Sequence, residues 1–382
     1  MHNTQLFLKD LVAIDSVNPT LVPGAAGELA IGECIAAEMR SVGLDVEVTE
    51  VLPGRRNVVG VLTGREPGRT LMLCGHMDTV GVSGMTAPFV PTERDGRLYG
   101  RGAQDMKGGV AAMVGAAATL AGETALSAGR VIVAVVVDEE HASVGADALV
   151  QDWQADGAVV AEPTDLTVAT GHKGFAWVRV ETRGRAAHGS RPREGRDAIL
   201  RMGRVLNRLE HLDHELQARL PHPLLGSASL HASTVDGGGE LSIYPDRCVL
   251  NLERRTLVGE ADGVALAEVD HILQQLRLED AEFDAVARLV LERPAYEVTA
   301  DHPLPRALLA IIGETGRPQT ISGMSFWTDA AILARAGIPS VLFGPSGQGL
   351  HSHQEYVELE TVLACRDVLV KLAQTFCRAE PA

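Results

Sequence analysis

The chain has 382 residues, a length that favours two domains over a single core. Hydrophobic residues make up 46%, as in a soluble globular protein, while aromatics reach only 4%, so small and aliphatic side chains carry the packing. A formal charge of −16 excludes nucleic acid and anionic membrane surfaces as expected partners, since both call for basic patches.

In chain order, residues 3–14 and 26–42 show helical periodicity, with Leu6, Leu8, Leu11 and Ile14 among the apolar positions of the first. Strand-like runs follow at Asn57–Leu62 and Thr70–Cys74. Val110–Leu120 reads as an alanine-rich helix entered through Gly108 and Gly109. Val131–Val137 is the β-branched run of a strand buried on both faces, and Gly157–Ala161 is another short strand. This alternation predicts an α/β domain with a mostly parallel, helix-covered sheet.

The middle of the chain changes character. Gly174–Arg183 alternates as a strand, and residues 196–219 form a long amphipathic helix. Two strands, Ser227–Val235 and Cys248–Arg255, flank a turn-rich segment. A helix over 263–277 and a strand over 283–292 complete a β-α-β-β-α-β order, the ferredoxin-like pattern. Pro294 marks the return, and residues 303–382 resume α/β character with a strand at Pro339–Phe343. The expected organisation is one domain from 1–175 and 294–382, with a second inserted at 176–293.

No apolar run approaches the roughly 18 residues of a membrane span, and the first residues lack a basic region followed by an apolar one. The five cysteines are scattered and form no CxxC pair. Reduced thiols and a cytoplasmic setting without a signal peptide are the expectation.

Six acid and histidine positions, His76, Asp105, Glu139, Glu140, Glu162 and His351, then stand out, each in a short motif punctuated by glycine or proline. His76 and Asp78 in GHMDTV follow the strand Thr70–Cys74, where open α/β sheets collect ligands. At i, i+2 on extended chain both side chains point the same way, so Asp78 can orient the imidazole of His76. Asp105 in RGAQDMKGG is either a helix N-cap or a carboxylate that bridges two metals. Glu139 and Glu140 end the buried strand, and adjacent carboxylates repel unless a cation or proton intervenes. One reading makes them a solvated turn; the other makes Glu140 a ligand and Glu139 a general base, which requires the chain to bend there. Glu162 precedes Pro163, which holds it extended. His351 lies in a glycine-rich loop, and His353 competes with it. His188 in GRAAHGSRP stands alone in the inserted domain. Two divalent metals sharing one carboxylate need about this inventory of donors.

Together these motifs resemble the acetylornithine deacetylase / succinyl-diaminopimelate desuccinylase / carboxypeptidase family of dinuclear zinc amidohydrolases, over essentially the whole chain. The resemblance implies His76, Asp105, Glu140, Glu162 and His351 as metal ligands, with Asp105 bridging. The resemblance also selects His351, four residues before Glu355 as in the family's HxxxEY, over His353. It implies Glu139 as general base, Asp78 as the catalytic aspartate behind His76, and a cis Asp105–Met106 peptide. The domain of 176–293 is implied to be a lid and dimerisation domain, whose His188 donates to the scissile carbonyl and whose Arg255, next to Arg254, holds a substrate carboxylate. One departure is visible: where many relatives carry an asparagine in a lid turn, this chain reads Ser242-Ile243-Tyr244-Pro245.

The expected activity is metal-dependent hydrolysis of the amide bond of a small N-acylated amino acid, with a metal-bridged water and Glu139 as general base. The cofactor expectation is two Zn²⁺, with Co²⁺ or Mn²⁺ as alternatives, in a homodimer. The alternatives are a di- or tripeptide exopeptidase on the same site, with Trp327 lining its pocket, and a non-catalytic binding protein.

Overall fold

The computed structural model describes residues 2–122 and 125–378. It divides into two compact units. The first holds the chain up to Thr170, Val298–Ser322 and the chain from Thr328 onward; the second holds Gly171–Glu297 and Gly323–Trp327.

The first unit is organised on a mixed sheet. Its strand order is Asp45–Leu52, Arg55–Thr63, Ala128–Val136, Glu66–His76, Gly157–Val160, Ser340–Leu342 and Val168–His172. The four strands from Ala128–Val136 to Ser340–Leu342 run parallel, and the flanking pairings are antiparallel. Val131 to Val137 are fully buried, as a strand covered on both faces requires. The strand Asp45–Leu52 escapes sequence reading because it is an edge rich in Asp, Glu and Thr that buries no residue fully.

Helices Thr4–Val12, Leu29–Ser41, Gly108–Ala121 and Leu359–Phe376 pack on this sheet around Leu8, Leu11, Ile35, Met39, Leu73, Met113 and Leu369. Asn3 starts the first helix by accepting the Leu6 amide at 3.1 Å. The helix Gly108–Ala121 is buried along nearly its whole length. A Cβ at Gly109 would collide with the carbonyl of Ala161, so glycine there lets the helix start close against the strand end that leads to Glu162. A small antiparallel sheet of Thr92–Arg94, Arg97–Tyr99, Tyr356–Glu358 and Gly347–Gln348 ties the segment before Asp105 to the segment after His351.

The second unit follows a β-α-β-β-α-β chain order. Its antiparallel sheet runs Ser229–Gly237, Arg247–Thr256, Gly174–Arg183 and Asp284–Arg293. Helices Ala198–Ala218 and Val264–Glu279 supply Met202, Val205, Val269 and Leu273 to a core shared with Val178, Val180, Leu250 and Leu252. Asp197 caps the first of these helices through the Leu200 amide at 2.9 Å. The class is therefore α/β, with a separate antiparallel α/β unit inserted in the chain. Among the described residues no helix is long and apolar enough to cross a membrane.

Candidate metal centre

Four chain segments reach the site from the carboxyl ends of the central parallel strands, where an open α/β sheet leaves a crevice. His76 is the last residue of Glu66–His76. Glu139 and Glu140 follow Ala128–Val136, Glu162 follows Gly157–Val160, and His351 follows Ser340–Leu342. Asp105 enters from the tight turn Ala103–Lys107, whose Asp105–Met106 peptide is cis.

Asp105 is the centre of the cluster. Its Oδ1 lies 3.1 Å from His76 Nε2 and its Oδ2 lies 3.2 Å from His351 Nε2. Glu162 Oε1 and Glu139 Oε2 approach His76 Nε2 to 3.7 and 3.9 Å. Glu140 Oε2 sits 3.1 Å from His351 Nε2. One carboxylate thus spans two histidines, His76 flanked by Glu139 and Glu162 and His351 by Glu140. His353 is placed elsewhere, with its ring against Gly84.

The bend required for Glu139 and Glu140 occurs at Asp138, whose φ is 69°. Asp78 then receives both following amides, Glu139 N–H at Oδ1 (3.1 Å) and Glu140 N–H at Oδ2 (3.2 Å). The contact that orients His76 comes from the Asp78 main chain: His76 Nδ1 is 3.0 Å from the Asp78 carbonyl, while carboxylate Oδ1 stays 3.6 Å away. Two backbone donors compete for that carboxylate, and the carbonyl takes over the imidazole.

The electrostatics ask for cations. Burial first, then the neighbouring acids, pushes the carboxyls of Glu139 and Glu162 well above their ordinary range and that of Glu140 up to about 7. Burial opposes charge on His76 too, but Asp105, Glu139, Glu162 and Asp78 outweigh it and raise the imidazole. Asp105 and Glu140 raise His351 to about 10. Burial likewise opposes charge on Asp105, yet the two histidines hold it below the usual carboxylate range. Divalent cations bound among these acids would neutralise them. Among the described residues Glu140 Oε1 is buried with no hydrogen-bond partner, which leaves a lone pair for a metal. His76 forms compact donor groups with Glu139 and Glu162, and with Asp105 and Glu140. Imidazole and carboxylate donors at this density fit divalent metal ions.

Two further residues shape the site: Glu355, which the sequence marked only as the glutamate of HxxxEY, and Asn18, to which it gave no role. Glu355 is buried and accepts the amides of Gly102, Gln104 and Asp105 at 2.9–3.1 Å and Arg101 Nη1 at 2.6 Å. Asn18 Nδ2 donates to Asp78 at 2.8 Å and to Asp138 at 3.0 Å. For Asn18 the Asn-Pro-Thr turn signal was the local hint.

The second unit holds the remaining expected residues. His188 is exposed, with Nδ1 2.8 Å from Ser190 Oγ. The divergent turn packs beside it: Gly189 N–H donates to Ser242 and Tyr244 N–H to Ala187. Arg255 lies over the Phe175 ring and is steered by Glu253 at 2.7 Å. Arg254 is fully buried between Glu260 and Glu268. Trp327, expected to line a pocket, is 8% exposed. Its ring packs edge-on to His172 and Phe175 and its N–H donates to the Pro294 carbonyl, so within this unit it is a packing residue.

Residues 72–375 match the model of peptidase family M20/M25/M40. The acetylornithine deacetylase of Myxococcus xanthus is 32% identical, over 97% of this chain and 96% of its own. Among solved structures, a tripeptidase from Staphylococcus aureus superposes with a TM-score of 0.81 at 21% identity, covering 99% of this chain and 100% of that one. An M20 family metallo-carboxypeptidase from Sulfolobus solfataricus reaches 0.80 at 17% identity, covering 98% and 99%. The acid and histidine cluster at the strand ends, the mixed sheet that carries it and the full-length match converge: the chain belongs to peptidase family M20/M25/M40, and it is a metal-dependent hydrolase of amide bonds.

Proposed function

We propose that the protein releases the acyl group of a small N-acylated amino acid on a pair of divalent metal ions. The observation that carries this reading is the two-sided contact of Asp105 with His76 and His351. His76, Asp105 and Glu162 would hold one ion, and Asp105, Glu140 and His351 the other. Zn²⁺ suits these donors, with Co²⁺ or Mn²⁺ as alternatives. When bound, the ions supply Lewis acidity toward the scissile carbonyl and acidify the attacking water.

Glu139 takes the proton of that water and passes it to the leaving amine. Asp78 keeps Glu139 and Glu140 aimed through their amides. From the second unit, we assign to His188 a hydrogen bond to the carbonyl oxygen as it gains charge. To Arg255 we assign the substrate carboxylate, a planar fork already oriented by Glu253. The second unit is proposed as lid and dimerisation domain. The exposed edge strand Ser229–Gly237 supports that role. The free thiols of all five cysteines support a cytoplasmic setting.

The deacetylase relative supports an acyl amino acid as substrate. The tripeptidase neighbour supports the second reading, a di- or tripeptide exopeptidase on the same ions. Zn²⁺-loaded protein assayed on N-acetyl-ornithine, N-succinyl-diaminopimelate, other N-acyl amino acids and dipeptides, with and without chelator, separates them. Chelator-sensitive turnover of an acyl amino acid is expected. Turnover of peptides alone would move the assignment to the exopeptidase.

A further inference from the structure

Consecutive residues on a strand point to opposite faces. Glu139 and Glu140 nevertheless both reach the same cluster, one toward His76 and the other toward His351. The backbone achieves this at Asp138, in the left-handed region that aspartate and asparagine tolerate better than other side chains.

The Asp138 side chain is anchored from beneath. It is 2% exposed, and its Oδ1 accepts Arg55 Nη1 at 2.8 Å and Asn18 Nδ2 at 3.0 Å. Arg55 is buried in turn and makes a fork with the carboxylate of Glu28. The same turn is gripped on its backbone. Asn57 accepts the Val137 amide at 3.1 Å and donates to the Gly145 carbonyl at 2.7 Å. The Asp138 carbonyl accepts the amides of Ala142 and Ser143.

We propose that Asp138 is a positioning residue: its carboxylate, tethered by Arg55 and Asn18, fixes the turn that directs two adjacent glutamates at two different histidines. The inference rests on the assignment of Glu139 as base and Glu140 as ligand. Asp138 lies outside the donor groups around His76 and acts through its neighbours' aim. A tether of this kind belongs to the outer groups that orient metal ligands.

The test compares Asp138→Gly and Asp138→Asn with wild type. Glycine accepts the left-handed backbone and removes the tether; asparagine keeps both the turn and an acceptor oxygen. Zn²⁺ affinity and stoichiometry are read by titrating metal-stripped protein, and kcat and KM on the amide that the wild type hydrolyses. Asp138→Gly is expected to fold, to bind Zn²⁺ about 10-fold more weakly and to lose kcat about 10–100-fold, with KM little changed. Asp138→Asn should recover most of both. A folded Asp138→Gly with wild-type affinity and kcat overturns the proposal.

Should Asp138→Gly fail to fold, Asn18→Ala removes one donor from the tether, and the same split is expected. Unchanged affinity and kcat in that variant overturn the proposal, and so does failure of both variants to fold, which marks the tether as purely structural. The Zn²⁺ titration needs no turnover. A wild type that hydrolyses none of the panel therefore sinks the acyl amino-acid reading and leaves this test in force.

Discussion

The carboxylate of Asp78 accepts the backbone amide of Glu139 at 3.1 Å, and its other oxygen accepts that of Glu140 at 3.2 Å. Removing this acceptor leaves two donors unpaired in a part-buried loop, at a cost of about 1–3 kcal/mol for each such group. Asp78→Ala should therefore lower Tm and kcat together. Asp78→Asn, which keeps one acceptor oxygen, should lose less of each. A Tm for Asp78→Ala equal to that of wild type would refute the role.

Glu139→Gln keeps the shape of the side chain and removes its basicity. The variant should bind both metal ions and lose about 10²–10⁴ in kcat. Metal analysis beside single-turnover kinetics checks both halves, and retained kcat would reassign the base.

Zn²⁺ must displace protons. Metal ligation needs neutral imidazole, and in the metal-free protein the acids raise His76 well above its ordinary value and His351 to about 10. Filling the site at pH 7 should release about two protons or more per chain, and apparent affinity should rise with pH across the neutral range. Calorimetric titration in buffers of different ionisation enthalpy measures the release. A proton-silent titration would contradict this electrostatic picture.

Arg254 and Arg255 are neighbours with opposite expectations. Arg254 is fully buried between Glu260 and Glu268, and truncating one member of a buried ion-pair group costs about 3–5 kcal/mol. Arg254→Ala should show a large loss of Tm. Arg255→Ala should leave Tm near wild type and raise KM for carboxylate-bearing substrates. Equal Tm losses in both variants would dissolve the distinction.

His172 is buried in the second unit beside Tyr296 and Trp327, and burial depresses its pKa to about 4, although the Lys173 carbonyl accepts from Nδ1. The folded state prefers the neutral ring, so its contribution is intact above pH 6.5 and is lost as pH falls toward 4, about 3 kcal/mol in all. Urea midpoints should fall more steeply between pH 6.5 and 4 for wild type than for His172→Phe. Parallel profiles would show that His172 does not contribute.

The amino-acid sequence by itself determined much of the architecture. The β-branched run over Val131–Val137, the helix over Val110–Leu120 and the order of elements between Gly174 and residue 292 are legible because burial imposes a local period on apolar residues. It also offered the candidate donors, because acids and histidines gathered in this number just past apolar strands are hard to explain together as a folding requirement. The edge strand Asp45–Leu52 was not read: it packs Val46 and Val51 against the core but buries no residue fully.

Only the tertiary structure decided where those donors point. Loop side chains are aimed by backbone dihedrals that no periodicity reports: φ is 69° at Asp138 and 58° at His351. Their partners also come from far along the chain. Glu355 holds the Asp105 amide across 250 residues, and Asn18 links Asp78 and Asp138 across 60 and 120 residues. The residue chemistry needed for two-metal hydrolysis is local and readable. Convergence on Asp105 is a property of the folded sheet, because it depends on contacts that exist only once distant segments pack together.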